Sequence, residues 1–97
     1  MSERKDLERS WSVTRNFLAL AKDALLASHA PESENLRFAL HEYEEYLSYN
    51  ELELALDALE GAADDHEAGN DFWRMLSLAA SNMELHDRAD ELAKRMR

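Results

Sequence analysis

The chain has 97 residues, room for one domain and not for two. Hydrophobic residues make up 45%, enough for a core, while two glycines and one proline are too few for the turns of an all-β sandwich or barrel. The absence of cysteine excludes disulfides, thiolate zinc sites, iron–sulfur clusters and thiol catalysis. A net charge of −10 disfavours nucleic acid and anionic membrane surfaces as partners and favours basic ones.

The first element runs from about Ser2 to Ser28. Leu7, Trp11, Thr14, Leu18, Ala21 and Leu25 recur at steps of four and three, one face of a helix, and Val13, Phe17, Leu20 and Ala24 widen that face. The start mixes charges of both signs and has no apolar stretch of a signal peptide. The longest strictly apolar run, Phe17 to Ala21, is far too short to span a membrane. A soluble cytoplasmic protein is the expectation. Pro31 marks a break, and a second helix is expected from Pro31 or Ser33 to Ser48, with Leu36, Leu40, Tyr43 and Leu47 as its buried stripe.

Asn50 and Glu53 have capping-box spacing, so a third helix is expected from there to Ala63. Its buried side is Leu52, Ala55, Leu56, Leu59 and Ala63, and Gly61 is a candidate terminator. Ala63 to Gly69 reads as a loop. A fourth helix begins at Phe72, after the cap-capable Asn70 and Asp71, and carries Leu76, Ala79, Ala80 and Met83. The stretch from Asn82 to Asp87 either continues it or kinks it, with Asp87 then capping a fifth. No segment has strand periodicity. The expectation is an all-α, single-domain antiparallel bundle of four to five helices over residues 1–97.

Charge is the most informative feature. Residues 1–31 hold five basic and four acidic groups, residues 32–71 hold Arg37 and thirteen acids, and residues 72–97 hold five basic and four acidic groups. The middle segment, with a net −12, therefore carries the whole excess. Glu53, Asp57, Glu60 and Asp64 form one stripe on the third helix, on a face distinct from its leucines. On the second helix Glu34, Glu42 and Glu45 share a face with Phe38, His41 and Tyr49. Tyr46 also lies off the main stripe, and tyrosines beside carboxylates suit the centre of an interface. The acidic face is either a docking face for a basic surface or a solvated one. Glu42, Glu45, Tyr46, Tyr49, Glu53, Asp57, Glu60 and Asp64 are the candidate partner-binding residues. Phe72, Trp73 and Met75 would be the apolar alternative. Since like charges at i,i+4 repel, neutralising Asp57 and Glu60 should maintain or slightly raise stability.

No catalytic constellation emerges. The four histidines are scattered, and two glycines cannot make a phosphate loop. Asp64-Asp65-His66-Glu67 lacks the ligand alternation of a calcium loop, and the serines have no nucleophile motif. No cofactor, metal or enzymatic activity is expected.

The stretch Tyr46-Leu47-Ser48-Tyr49-Asn50-Glu51-Leu52-Glu53-Leu54-Ala55-Leu56-Asp57-Ala58-Leu59 resembles a segment of small acidic helical immunity proteins from bacterial polymorphic-toxin systems, most nearly the Maf-type immunity family. Phe72-Trp73-Arg74-Met75-Leu76, Ala79-Ala80 and Met83-Glu84-Leu85 fit the same layout, so the resemblance covers roughly residues 36–92. It departs at Leu52, where the family pattern has an aromatic residue. Tetratricopeptide proteins carry a similar turn, but no 34-residue repeat is present. The resemblance implies stoichiometric neutralisation of a cognate toxin without catalysis. The alternative is a helical adaptor or regulatory module that binds another basic partner or self-associates as a homodimer.

Overall fold

Helical apolar spacing becomes helix along most of the chain. A computed structural model describes residues 3–28, 34–64 and 68–96, with side chains described for all of these except residues 3–7, 28 and 64. Among them the helices are α1 (Glu3–Ser28), α2 (Glu34–Ser48), α3 (Leu52–Asp64), α4 (Asn70–Asn82) and α5 (His86–Ala93). The all-α expectation holds, in its five-helix form. The proposed start of the second helix at Pro31 or Ser33 lies outside the described residues, as do Asp65, His66 and Glu67.

Three packed pairs organise the molecule: α1 on α4, α2 on α3 and α4 on α5, with α3 also touching α1 and α4. The extents of 46 × 28 × 18 Å leave room for two helix layers at the usual 8–10 Å spacing. Between them lie Leu18 and Leu25 of α1, Leu36 and Tyr43 of α2, Leu56 and Leu59 of α3, Phe72 and Leu76 of α4 and Leu92 of α5, all essentially without solvent contact. Burial, with a smaller contribution from the neighbouring Glu44 charge, pushes the Tyr43 hydroxyl up to about 12. Phe72 and Trp73 meet edge to face at 4.8 Å, and the Arg95 guanidinium covers the Trp73 ring at 4.2 Å. Both rings are buried, so Phe72 and Trp73 cannot form the apolar interface considered from the sequence.

Polar contacts fix the register. The Asn82 amide donates to the Thr14 hydroxyl at 2.7 Å and to the Ser10 carbonyl at 2.9 Å, which ties the C-terminal end of α4 to the N-terminal half of α1. Ala24 and Ala27 of α1 sit beside Asn70, Asp71 and Phe72 at the other end of α4, so the pair is antiparallel. Ser77 donates to the Ala89 carbonyl at 3.0 Å and joins α4 to α5. Among the described residues no buried side-chain nitrogen or oxygen lacks a partner.

Several local expectations need correction. Trp11, placed on the buried stripe, is 42% exposed, although Asn82 at the end of α4 bonds Ser10 and Thr14 on either side of it. Val13 and Leu20 are also exposed. Leu7 is outside the described side chains. Asn50 is not the N-cap of α3. It has φ 57°, its N–H donates to the Leu47 carbonyl at 3.0 Å, and the Glu51 N–H donates to the Tyr46 carbonyl at 2.9 Å. This is a Schellman closure of α2, and asparagine tolerates its left-handed position. The Glu51 carbonyl accepts the first bond of α3 from Ala55, so the capping box with Glu53 does not form. Gly61 does not end α3, which continues to Asp64. The fourth helix begins at Asn70, preceded by Gly69 with no side-chain cap. Asp87 lies in the first turn of α5, while Leu85 takes the N-cap place.

A second Schellman closure ends α4. The Leu85 N–H donates to the Ala80 carbonyl at 3.0 Å and the Glu84 N–H to the Ser81 carbonyl at 3.0 Å, with Glu84 at φ 63°. A glutamate in the left-handed region costs about 1–2 kcal/mol relative to glycine's freedom there. Glu84→Gly should therefore stabilise the protein by about 1 kcal/mol in urea unfolding, a gain reduced by glycine's extra unfolded-state entropy. Leu56→Ala, at a site with no solvent exposure, should cost about 2–5 kcal/mol. An unchanged midpoint for Leu56→Ala would place the wrong face of α3 inward.

Candidate functional site

The outer side of the α2–α3 pair carries the acidic residues. Ala39, Tyr46 and Ala58 pack the seam, and the small residues Ala58 and Gly61 on α3 leave space above it. The resulting groove has a volume of about 420 Å³ and is lined by Asn35, Phe38, Ala39, Glu42 and Tyr46 from α2 and by Asp57, Ala58 and Gly61 from α3. A methyl group built on Gly61 would meet nothing within 4 Å, so the groove is open at that point.

Helical phase explains this composition. Asn35, Phe38, Glu42, Tyr46 and Tyr49 follow one another at steps of three and four along α2 and into the turn after it, so they form a row beside α3. Phe38 is 66% exposed and Tyr49 71%, large values for aromatic side chains. Leu54, also exposed, lies one turn before Asp57 and Ala58 on α3. The face thus alternates apolar surface with carboxylates.

Of the residues chosen from sequence, the structure brings Glu42, Tyr46 and Asp57 together in the groove. Tyr49 continues their row without lining the groove. Glu45 and Glu53 are exposed on the flanks of α2 and α3, and the Asp64 side chain lies outside the described residues. Glu60 faces the other way, towards α5. Phe38, Asn35 and Gly61 were missing from the sequence-based site. Phe38 had a usable signal, since it lies one turn before Glu42 and off the Leu36–Tyr43 stripe. Gly61 had none, because an open groove and a helix end call for the same residue.

Asp57 and Glu60 have a partner within the molecule. The Arg88 guanidinium of α5 forms an ion pair with Asp57 and bonds Glu60 at 2.6 Å. Burial works against the Arg88 charge, but the hydrogen bonds to Glu60 and Asp57 outweigh it and raise its pKa. Asp57 therefore stands between the groove and α5, one side on each. Among the described residues no group of three histidine, aspartate or glutamate side chains is arranged to hold a metal ion. No described helix is long and apolar enough to cross a membrane.

Three comparisons with known proteins return no match: no family model, no curated protein and no solved structure resembles the chain closely enough to place it.

Arg88 changes the stability expected for neutral variants. The double variant Asp57→Asn with Glu60→Gln relieves repulsion along α3 but leaves Arg88 without its carboxylates. A net loss of about 1 kcal/mol is expected, small because Asp57 is nearly half exposed and its share is screened by solvent. In a double-mutant cycle with Arg88→Met, Glu60 should show the larger coupling, about 0.5–1 kcal/mol. Strict additivity would mean that the contact contributes nothing.

Proposed function

We propose that the protein is a non-catalytic binding module that neutralises a cognate bacterial toxin by covering a basic surface with the outer face of α2 and α3. The observation that carries this reading is the groove itself, in which carboxylates Glu42 and Asp57 flank the exposed Phe38 and the half-buried Tyr46. Carboxylates so placed attract and orient a cationic partner, and the aromatic rings supply rigid apolar contact area at low entropic cost. A basic toxin groove that normally receives phosphates would receive these carboxylates instead, and its substrate would be excluded.

Three further points support the reading. The excess negative charge is confined to residues 32–71, eight of whose acids are on α2 and α3, so the pair attracts cationic partners. The acids are dense enough to repel one another, a cost that a stability-optimised surface would avoid by interspersed lysines. The segment Tyr46 to Leu59, which carries the resemblance to Maf-type immunity proteins, contributes Tyr46, Asp57 and Ala58 to the groove and the turn between its two helices. The competing reading, an adaptor for some other basic protein, uses the same face and differs in the identity of the partner.

The decisive experiment pairs the chain with the toxin domain encoded beside it. Co-expression should restore growth, and the purified proteins should form a one-to-one complex whose association rate falls steeply between low and physiological ionic strength. Phe38→Ala with Glu42→Gln should weaken that complex by about 2–4 kcal/mol while leaving the melting curve nearly unchanged, because Phe38 is exposed and Glu42 only partly buried. A salt-insensitive rate, or full protection by the double variant, would move the interface off this face.

A further inference from the structure

We propose that the outer face of the α1–α4 pair is a self-association surface that takes a second copy of this chain in a two-fold, antiparallel α1–α1 contact. Val13, Phe17, Leu20 and Ala24 recur at steps of four, three and four, which makes a straight stripe along α1. Val13 is 39% exposed and Leu20 43%, while Phe17 and Ala24 are half-buried against the core. The Asn82 bonds to Ser10 and Thr14 set α4 antiparallel to α1, and Leu78, one turn before Asn82 and 39% exposed, comes alongside the same stripe. The half-buried Met75 precedes it. These residues make an apolar face on two helices, opposite on α1 to Arg15 and Lys22, which reach α2.

Charge identifies the occupant. Two chains of net charge −10 repel, and contact through α2 and α3 would bring their acids together. The α1–α4 face has no such excess. On α4 its charges are Asp71 and Arg74, which pair with each other at 3.3 Å. On α1, Arg9 lies one turn before Val13 and Asp23 one turn after Leu20, both exposed. The residue midway between Arg9 and Asp23 is Asn16, next to the centre of the stripe. An antiparallel two-fold contact centred there places Arg9 of each copy beside Asp23 of the other, while Val13 of each copy meets Leu20 of the other and the two Phe17 rings meet between them. A two-fold interface requires this reciprocal match. A basic partner would find no carboxylate excess on this face. The acidic faces of α2 and α3 would both point outward from such a dimer, so the contact is independent of the groove.

The stripe from Val13 to Ala24 is only about 17 Å long at 1.5 Å per residue, so the association should be weak and concentration-dependent. Sedimentation velocity and light scattering on the purified chain, from about 5 to about 500 μM, should show the mass rise from 11.2 kDa towards twice that value. Raising salt should favour the dimer by screening the overall repulsion, opposite in sign to its effect on a basic partner. Leu20→Glu and Leu78→Glu should each shift the midpoint at least tenfold upward, whereas Leu54→Glu, an equally exposed leucine on the α2–α3 side, should not. Arg9→Glu and Asp23→Arg should each weaken the dimer, and the double swap should restore it. Helical circular dichroism on each variant confirms that the fold persists, and the milder Leu20→Ser replaces Leu20→Glu if it does not. A chain that stays single at 500 μM overturns the proposal and assigns the face to another occupant. So does a dimer broken by Leu54→Glu but not at Leu20 or Leu78, or one that the charge swap fails to rescue.

Discussion

Like-charge crowding on α2 and α3 is the constraint around which the rest of the structure is arranged. The two helices hold eight acids and one arginine, so the pair cannot neutralise itself. Cations from the balanced flanks reach it. Lys22 of α1 bonds Glu44 at 2.7 Å, and Arg15 of α1 donates to the Leu47 carbonyl and the Asn50 side chain, each at 3.0 Å. Arg88 of α5 closes the far side on Asp57 and Glu60. Arg15 also meets the negative end of the α2 dipole, where a cation is favoured. Each contact is modest in solvent, and the buried leucines supply most of the stability. The cations instead decide which acids are held at the rim of the pair and which remain for the outer surface.

That sorting gives the molecule two unlike sides. On the α2–α3 side, among the described residues, none of these cations reaches Glu42 or the exposed Phe38 and Tyr49 rings. On the α1–α4 side lie the exposed Val13, Leu20 and Leu78, and the α4 charges Asp71 and Arg74 pair with each other. A basic protein and a second copy of the chain would therefore seek different faces. Asp57 is the exception, since it lines the groove while touching Arg88. A partner's cation arriving at Asp57 would share it with Arg88, which ties the α5 position to the strength of binding on α2 and α3.

The sequence made the helices and most of the core legible because both depend on local spacing. Leu18, Leu25, Leu36, Tyr43, Leu56, Leu59 and Leu76 were assigned inward from periodicity alone, and all are buried. The misses came from information that periodicity lacks. Trp11 has the phase of a buried residue, yet it is 42% exposed near the point where α4 ends. Asn50 has the chemistry of an N-cap, yet the same side chain suits the left-handed position that closes α2, and tertiary contact with Arg15 favours that use. The charge excess was plain in the sequence. Its partition was not, because Arg88 lies 28 and 31 positions from the acids it engages. Glu42, Tyr46 and Asp57, candidates on two different helices, line one groove. Phe38 was seen on the face of Glu42 but omitted from the site, because exposure is a property of the neighbours rather than of the residue.

The central claim is that the outer face of α2 and α3 is where a basic partner binds. Amide hydrogen exchange, compared between the free chain and its complex with the cognate toxin, tests it most directly, since it reads every helix at once without altering a residue. The account predicts slowed exchange confined to residues 35–61, strongest beside Phe38, Glu42 and Asp57, with α1 and α4 unchanged. Protection centred on α1, α4 or α5, with residues 35–61 exchanging as in the free chain, would contradict it.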